Sequence, residues 1–379
     1  MKILLLGEYS RLHNSLKEGL QALGHEVLLV GTGDNFKQLP SDIDVSSRLR
    51  DNYWLNKWWQ AVYLVSGYNH FKKDIYKNLV KLIPQLKNYD AVQLINEDVF
   101  AIYPDDEIKF LKRVFDQNNR VFLSACGEDT HVIDYYKQEY LRYSILTPYV
   151  ELDGLDNDYF FSFKYLKPEY RRLHDFVINN VQKVIPSDID YALPYAGYPK
   201  AVSMIPNPVN VDKIPFKSLN ISDKINIFFG INRYSFYKKG SHIVLDVLKD
   251  IEKAYSDKVK IVLAENLPYD TYIKLYNDTH IFIDQLYSYD QGFNALEAMA
   301  AGKCVVTGAE KEFENYYGLQ EPVAVNGLPD RKALFESLAQ LIENPTQIVE
   351  IGQNARRFIE KEHHYIEIAK RYLEIWNIS

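Results

Sequence analysis

The chain has 379 residues, more than the roughly 250–300 at which a single hydrophobic core stops growing, so we expect two domains. A formal net charge of −7, with no basic stripe, argues against a nucleic-acid partner. The two cysteines, Cys126 and Cys304, lie in separate apolar runs without metal-ligand spacing, which favours buried thiols in a reducing compartment.

The chain begins with a short apolar run that breaks at Gly7 without a cleavage site, so we interpret it as a strand and not as a signal peptide. No apolar run approaches the roughly 18–20 residues that span a bilayer. We therefore expect a cytoplasmic protein, either free or peripheral at the inner face of the membrane.

Strands alternate with helices along the first half of the chain, a pattern typical of a parallel α/β sheet. The predicted strands are 2–8, 26–31, 89–95, 120–129 and 183–188, and the predicted helices are 12–25, 105–119 and 169–181.

A proline-rich stretch then interrupts the pattern at Pro206, Pro208 and Pro215, which predicts an extended connector between domains. The alternation restarts with strands 224–232, 259–265 and 280–286 and helices 239–255 and 269–278, and the chain is helical from residue 331 onward.

We expect a first domain over residues 1–208 and a second over 209–364, with a last helix, 365–379, that packs back on the first domain. In such sheets ligands bind beyond the carboxyl ends of the strands, so a ligand site is predicted between the domains.

The stretch from Phe282 to Glu310 combines features of a phosphate site. A strand leads through a loop containing Gly292 into a helix that carries a single acid, Glu297. Helix N-termini suit anions, and the amides of Gly292 and Phe293 would hold phosphate oxygens. An exposed acid favoured by the helix dipole explains Glu297 alone, but not the Ala-Met-Ala-Ala-Gly-Lys run and strand that follow it.

This stretch resembles the signature of group 1, family 4-like retaining glycosyltransferases of the GT-B fold, in which two Glu residues flank a Gly-Phe-Gly loop. Glu297 matches the second Glu, which the resemblance assigns to the nucleotide ribose, with Asn294 also on the donor side. Tyr289 stands at the position of the first Glu, and the neighbouring Asp290 would supply a carboxylate if the loop shifts by one residue.

A second motif supports the resemblance, because "FFGINRYSFYKKGSHIVLDVL" is similar to the family's strand, Gly-Arg, Lys-Gly and helix. Arg233 and Lys239, with Lys238 as an alternative, would grip the donor diphosphate, whose charge grows as the sugar–phosphate bond breaks. Glu265, at the end of the next strand, would lie near the base. A basic turn at a helix start is the ordinary explanation of the same residues.

The first domain carries weaker signals. The opening strand, loop and helix are similar to the family's acceptor side, where Gly7, Glu8 and Ser10 would face the cleft. Asp129 and His131, at the end of a later strand, are candidates for positioning the acceptor hydroxyl or the donor sugar. A helix-capping Asp and a surface His explain these two residues equally well.

Residues 47–63 hold three of the four Trp residues beside Arg48, Arg50 and Lys57. This composition suits a membrane-interface or acceptor-binding element. A buried aromatic helix would look similar, and we favour that interpretation slightly.

The resemblance implies an α/β GT-B protein that moves a sugar from a nucleotide-sugar donor to a saccharide or glycolipid acceptor, a hexosyltransferase-type reaction (EC 2.4) in cell-surface polysaccharide synthesis. It implies no metal and no cofactor. Asp-x-Asp triplets at 42/44, 156/158 and 188/190 would suit a metal-dependent GT-A enzyme, but their number is near that expected by chance.

Three alternatives stay open. They are a GT-B epimerase or phosphorylase, a nucleotide-binding GT-B protein with impaired catalysis, and a dinucleotide oxidoreductase. The last lacks a Gly-x-Gly-x-x-Gly motif after the first strand.

Overall fold

The computed structural model describes residues 1–33, 39–50, 53–265 and 275–378. Two parallel sheets organise these residues, one in each half of the chain. The predicted α/β architecture of two Rossmann-like domains is confirmed. Most of the predicted helix 269–278 lies outside the described residues.

The first sheet has six strands in the order β3-β2-β1-β4-β5-β6, all parallel. Their bounds are Lys2–Leu6 (β1), Glu26–Gly31 (β2), Ile43–Asp44 (β3), Ala91–Leu94 (β4), Val121–Ala125 (β5) and Lys183–Pro186 (β6). The helices of this half are Leu12–Ala22 (α1), Tyr53–Ser66 (α2), His70–Leu82 (α3), Pro104–Phe115 (α4), Thr130–Tyr136 (α5), Thr147–Glu151 (α6), Asp156–Phe163 (α7), Pro168–Asn180 (α8) and Ile189–Ala192 (α9).

The second sheet has five strands in the order β11-β10-β9-β7-β8, again all parallel. Its strands are Ile225–Gly230 (β7), Val259–Ala264 (β8), Ile281–Ile283 (β9), Cys304–Thr307 (β10) and Val325–Asn326 (β11). The helices are Ser241–Ala254 (α10), Phe293–Ala300 (α11), Lys311–Tyr317 (α12), Arg331–Glu343 (α13), Pro345–Glu362 (α14) and Tyr365–Ile378 (α15). Short 3₁₀ turns occur at Arg48–Arg50, Ile83–Gln85, Lys164–Leu166, Val211–Lys213 and Arg233–Ser235.

The central strands are apolar because both faces of each parallel sheet are covered. Residues 3–6 of β1 are fully buried, as are all residues of β10. Helix α1 ends at Ala22 because Gly24, two residues later, adopts a left-handed φ of 82°, which terminates a helix.

The last helix, α15, lies against the first sheet and not the second. Ile368, Tyr372 and Trp376 share a buried cluster with Ile3 and Leu5 of β1. The Trp376 indole N–H donates to Gln93 Oε1 at 3.0 Å, and the Trp376 side chain is fully buried. The chain therefore ends as an outer layer of the domain with which it begins.

The two domains meet through a segment that follows α5. The Tyr289 hydroxyl accepts a hydrogen bond from the Arg142 amide at 2.9 Å, and the Arg142 guanidinium pairs with Glu310 at 2.9 Å and Glu312 at 2.8 Å. Tyr143 lies in the buried cluster of the second domain. This contact holds the carboxyl ends of the two sheets close together.

Helix α2 contradicts the preference for a buried aromatic helix. None of its residues is buried, and Trp54 is 79% exposed. Trp58, Leu64 and Val65 are also exposed. Residues 51–52, within the predicted element 47–63, lie outside the described residues.

Candidate functional site

A pocket of about 210 Å³ lies between the domains, at the carboxyl ends of strands from both sheets. It is lined from the first domain by Ser10, Asp188, Asp190 and Tyr191, and from the second by Lys239, Asp284, Gln285 and residues 291–294.

One wall of the pocket is the N-terminus of α11. Gly292 precedes the helix with φ −70° and ψ 163° and has no side chain with which to cap it. Gly292, Phe293 and Asn294 line the pocket, so the positive end of the helix dipole and its first-turn amides favour an anion there. A Cβ at position 292 would lie 3.1 Å from Asp284 Oδ2, so a larger residue there would press on the Asp284 carboxylate.

Lys239 is the cation beside this helix terminus. Gly240, which follows it, has a left-handed φ of 72° that turns the chain into α10, and a Cβ there would lie 3.0 Å from Leu286. The Lys239 carbonyl accepts from the Leu286 amide at 3.1 Å. Its ammonium donates to Asp284 Oδ1 at 2.7 Å. Backbone and side chain together therefore hold Lys239 at the pocket.

The other predicted diphosphate contacts do not line this pocket. Arg233 forms a two-pronged ion pair with Glu265, with nitrogen–oxygen distances of 2.6 and 2.7 Å, and both side chains are substantially exposed. Lys238 reaches across to the first domain and donates to Glu128 at 2.5 Å. Each of these cations already has a carboxylate partner.

Glu297 faces a second, smaller pocket of about 30 Å³ on the other side of Phe293. Its carboxylate lies 3.6 Å from the Arg11 guanidinium of the first domain. Ser10 and Arg11 both have positive φ, 51° and 72°, which is uncommon outside glycine. A ligand at Glu297 would therefore bind next to Arg11.

Two carboxylates, Asp190 and Asp290, join the first domain to the loop before α11, and a third, Asp188, lies beside them. Asp190 accepts from the Ser288 hydroxyl at 2.5 Å and the Tyr289 amide at 2.9 Å. Asp290 accepts from the Ile189 amide at 3.1 Å and the Gln291 amide at 2.7 Å. Asp188 caps α9 by accepting from the Tyr191 amide at 3.3 Å.

Burial raises the pKa of each of these acids because it disfavours the charged form. The pKa of Asp190 rises to about 6 and that of Asp290 to about 7. The pKa of Asp188 rises well above its usual range through burial first, then through the charges of Asp190 and Asp290.

The sequence predicts that Asp290 replaces the missing first Glu. In the structure, however, the Asp290 side chain points into the protein interior. It is 3% exposed, and its two oxygens accept from backbone amides and do not line the pocket. Tyr289, at the position of the first Glu itself, is 1% exposed, and the Arg142 guanidinium lies 4.8 Å above its ring. Tyr289 thus serves the domain interface.

Asp129 and His131 also lie away from the pocket. Asp129 is 1% exposed, caps α5 through the Val132 amide at 2.7 Å and accepts from the Tyr195 hydroxyl at 2.9 Å. Burial raises its pKa to about 7. His131 is half-buried, and its Nε2 lies 2.9 Å from the Pro194 carbonyl. Asp129 therefore caps a helix, as its alternative explanation expects, and His131 is partly buried.

Of the three acceptor-side residues predicted near the first strand, Ser10 lines the pocket. Glu8 is 3% exposed and accepts from the Asn14 amide and side chain at 2.7 and 2.6 Å, so it does not face the cleft. Gly7 has φ 81°, and a Cβ there would lie 2.4 Å from Ile95, so it serves close packing.

Sequence reasoning missed the acids of the pocket. In the sequence, Asp188 and Asp190 look like a chance Asp-x-Asp, and no motif singles out Asp284 or Gln291. A signal existed for Asp284, which directly follows the apolar strand β9 at its carboxyl end.

Within the described ranges, no group of three or more His, Cys, Asp or Glu side chains is arranged to hold a metal ion. Over the same residues, no helix combines the length and apolar character that crossing a bilayer requires.

Comparisons with known proteins agree with this fold. Residues 232–374 match the model of a family described as "Glycosyl transferase-like". No curated protein matches the chain. Among solved structures, sucrose-phosphate synthase from Thermosynechococcus elongatus aligns over 100% of this chain and 98% of its own with a TM-score of 0.58 at 13% identity.

Anabaena HepE, in complex with UDP and glucose, covers 100% of both chains with a TM-score of 0.59 at 11% identity. A Listeria monocytogenes protein assigned as a UDP-N-acetylglucosamine 2-epimerase covers 98% of this chain and 94% of its own, with a TM-score of 0.52 at 11% identity.

Fold and site together define the class: this is a protein of the GT-B fold, with two parallel α/β domains facing a cleft. Its second domain and last helix carry the glycosyl transferase-like sequence pattern.

Proposed function

We propose that this protein is a retaining, metal-independent glycosyltransferase that moves a hexose from a nucleotide-sugar to a saccharide or glycolipid acceptor. The observation that carries the proposal is the meeting of Lys239 with the N-terminus of α11 at the pocket between the domains. Both features lie in the segment that matches the glycosyl transferase-like family.

The donor diphosphate would bind at the amides of Gly292 and Phe293, beside Asn294 and the ammonium of Lys239. Arg233 and Lys238 would turn from their partners, Glu265 and Glu128, to add charge. Fixed cations and helix amides stabilise the negative charge that develops on the leaving diphosphate.

Glu297 would accept hydrogen bonds from the ribose hydroxyls, and Glu265 would lie near the base. Because the Arg11 guanidinium of the first domain lies 3.6 Å from Glu297, we expect donor binding to be accompanied by a small separation of the domains. Movement about the connector from Pro206 to Pro215 would allow this separation and the closure that later excludes water.

In the reaction, an acceptor hydroxyl offered from the side of Ser10 would bond to the anomeric carbon as the bond to the diphosphate breaks. The hydroxyl proton would pass to the departing phosphate oxygen on the same face of the sugar. This route retains the anomeric configuration and uses no protein nucleophile.

The setting we propose is cell-surface polysaccharide synthesis at the inner face of the membrane. The exposed aromatic face of α2 supports a peripheral contact, since Trp and Tyr rings partition into membrane interfaces. A glycolipid acceptor would then be presented at the same surface.

Two other functions compete. An epimerase acting on a nucleotide-sugar is favoured by the likeness to the Listeria protein, and it would turn over a nucleotide-sugar without any acceptor. A nucleotide-binding protein without catalysis is favoured by the burial of Tyr289 at the position of the first Glu.

The test is a thermal-shift panel of UDP, GDP, ADP, CMP and NADH, each with and without Mg²⁺. A ligand at about 100 times its Kd stabilises by roughly 2.7 kcal/mol, or a few degrees for a chain of this size. We expect a metal-independent shift with one nucleoside diphosphate. A shift with NADH alone, or with none of the five, would contradict the proposal.

The matching nucleotide-sugars are then incubated with the protein, with and without added saccharide. Acceptor-dependent release of the nucleoside diphosphate supports the transferase. Isomerised donor without acceptor identifies an epimerase, and binding without turnover identifies the impaired protein.

A further inference from the structure

Lys238 is held by the opposite domain. Of the three cations that are candidates for the donor diphosphate, Lys239 and Arg233 pair with carboxylates of their own domain. The Lys238 ammonium instead donates to the Glu128 carboxylate of the first domain at 2.5 Å. The Lys238 and Glu128 side chains are only 13% and 21% exposed. Water and salt therefore screen this ion pair less than a pair on the open surface.

The first domain offers the Lys238 ammonium more than one partner. The centroid of the Tyr159 ring, on α7, lies 5.6 Å from Lys238 Nζ, within the range of a cation–π contact. Glu128 lies in the loop after β5, where the Asn96 side chain donates to the Cys126 carbonyl at 2.9 Å and to the Glu128 carbonyl at 3.2 Å. The backbone that carries the Glu128 carboxylate is therefore fixed independently of the ion pair.

A second candidate donor residue is paired across the domains in the same way, with the charges reversed. Glu297 of the second domain lies 3.6 Å from the Arg11 guanidinium of the first. The first domain thus places a carboxylate on a cation expected to bind phosphate, and a guanidinium beside an acid expected to bind ribose hydroxyls. Both ion pairs connect the two domains at the candidate donor site.

A carboxylate and a phosphate oxygen present the same chemistry to an ammonium, since each is an anionic acceptor of charge-assisted hydrogen bonds. Two such anions brought together at one ammonium repel each other. Lys238 directly precedes Lys239, which lines the pocket between the domains. Lys238 would therefore reach an anion in this pocket by leaving Glu128.

We propose that Glu128 is an internal competitor of the donor diphosphate, which has to displace it in order to recruit Lys238. The inference deepens the proposed function and rests on it, because Lys238 is taken there as a diphosphate ligand. The exchange breaks a contact between the domains, so it couples diphosphate binding to their separation. It also lowers the apparent affinity, because only molecules in which Lys238 has left Glu128 offer the complete site.

The experiment measures Kd by calorimetry for inorganic pyrophosphate, UDP, GDP and ADP. Pyrophosphate probes the diphosphate contacts without depending on the nucleobase. Glu128→Gln keeps the size of the side chain but removes its charge. It should tighten the binding of pyrophosphate and of the matching nucleotide by at least about threefold. Lys238→Gln should weaken the binding of both by at least about fivefold, because a charge-assisted contact is lost.

A gain of affinity distinguishes competition from a structural role, since removal of a carboxylate that only supported the site would lower the affinity. In the double variant, Glu128→Gln should add little to Lys238→Gln, because Glu128 acts through this lysine. Glu312→Gln is the matched control. It removes one charge from another contact between the domains, the ion pair with Arg142, and should leave every Kd unchanged.

Glu128→Asp gives an independent test if Glu128→Gln does not fold. Its side chain is one CH₂ shorter, so it weakens the ion pair with Lys238 and should tighten binding by a smaller factor. Unchanged or weaker pyrophosphate binding in a folded Glu128→Gln protein would overturn the inference. Parent-like binding by Lys238→Gln, or no pyrophosphate binding by any of the proteins, would overturn it as well.

Failure of the proposed function gives a different pattern. In that case UDP, GDP and ADP bind neither the parent nor Glu128→Gln, while pyrophosphate still decides whether Glu128 and an anion compete for Lys238. Nucleotide binding by the parent that Glu128→Gln does not strengthen would instead leave the proposed function intact and remove the competition.

Discussion

At the scale of single residues, the site depends on carboxylates whose partners come from the opposite domain. Glu297 is held by Arg11, and Asp190 and Asp290 connect α9 to the loop before α11. Substitution of Glu297 or Asp190 therefore tests both the candidate site and the contact between domains, whereas substitution of Asp290 tests the contact alone.

Glu297→Ala should weaken binding of the nucleotide identified in the thermal-shift panel by at least about tenfold, since hydrogen bonds to a charged acceptor contribute roughly 1.5–3 kcal/mol each. The measurement is Kd by calorimetry. Glu336→Ala, at an exposed acid of the same domain, is the control and should bind as the parent does. Parent-like affinity in Glu297→Ala would remove the ribose contact from the proposal.

Because of Asp290, the free energy of unfolding should fall as pH rises. Its folded-state pKa of about 7 lies above the unfolded value of about 4, so the folded state holds the proton more tightly. The contribution of this proton to the free energy of unfolding is fully present below about pH 4, where it amounts to about 4 kcal/mol. It is lost as pH rises through about 7. The carboxylates of Asp188 and Asp190 face the same group.

The free energy of unfolding of Asp290→Asn and of the parent should be compared by urea denaturation between pH 4 and pH 8. The parent should lose more stability over this interval than the variant, which cannot titrate at this position. If the difference between the two proteins does not change with pH, burial does not raise the pKa as described.

At the scale of elements, tryptophan is buried in one helix and exposed in another. Trp376 of α15 is fully buried against the first sheet, whereas Trp54 of α2 is 79% exposed. Both are predictable as helical Trp residues from the sequence, but their burial depends on what packs against each helix.

Trp376→Ala should destabilise the protein by roughly 3–5 kcal/mol, because it leaves a cavity and removes the hydrogen bond to Gln93. Trp54→Ala is the matched control and should change the free energy of unfolding by less than about 0.5 kcal/mol. Chemical denaturation of both variants checks this. Similar stability of the two variants would mean that α15 does not form part of the first domain.

At the scale of the whole molecule, the cleft and the exposed helix are separate surfaces of one GT-B protein. The interface at Arg142, Tyr289 and Glu310 holds the domains close, and α2 projects its aromatic residues from the first domain. A membrane contact through α2 would leave the pocket free to receive the donor.

We expect the protein to bind vesicles of phosphatidylcholine and phosphatidylserine. Trp54→Ala with Trp58→Ala should reduce that binding by roughly tenfold or more, since each buried aromatic side chain contributes about 1.5–3 kcal/mol. Co-sedimentation measures this, and Phe161→Ala, at an exposed ring of α7, is the control. Equal vesicle binding by the parent and the double variant would exclude α2 as the contact.

The sequence predicts the alternation of strands and helices, and its local motifs indicate Lys239, Gly292 and Glu297 as candidate site residues. These features are local: an apolar run, a Lys-Gly turn or a glycine before a helix acts through neighbouring residues. The parallel α/β fold follows from the same periodicity, which is why it was predicted from the sequence.

Which distant residues meet depends on the tertiary structure. It brought Asp188 and Asp190 of the first domain to Asp284 and Gln291 of the second. It also turned Asp290 inward as an acceptor for the Ile189 amide of the first domain. The physical reason is that burial and pairing depend on contacts made by residues about 100 positions apart, which local sequence patterns do not encode.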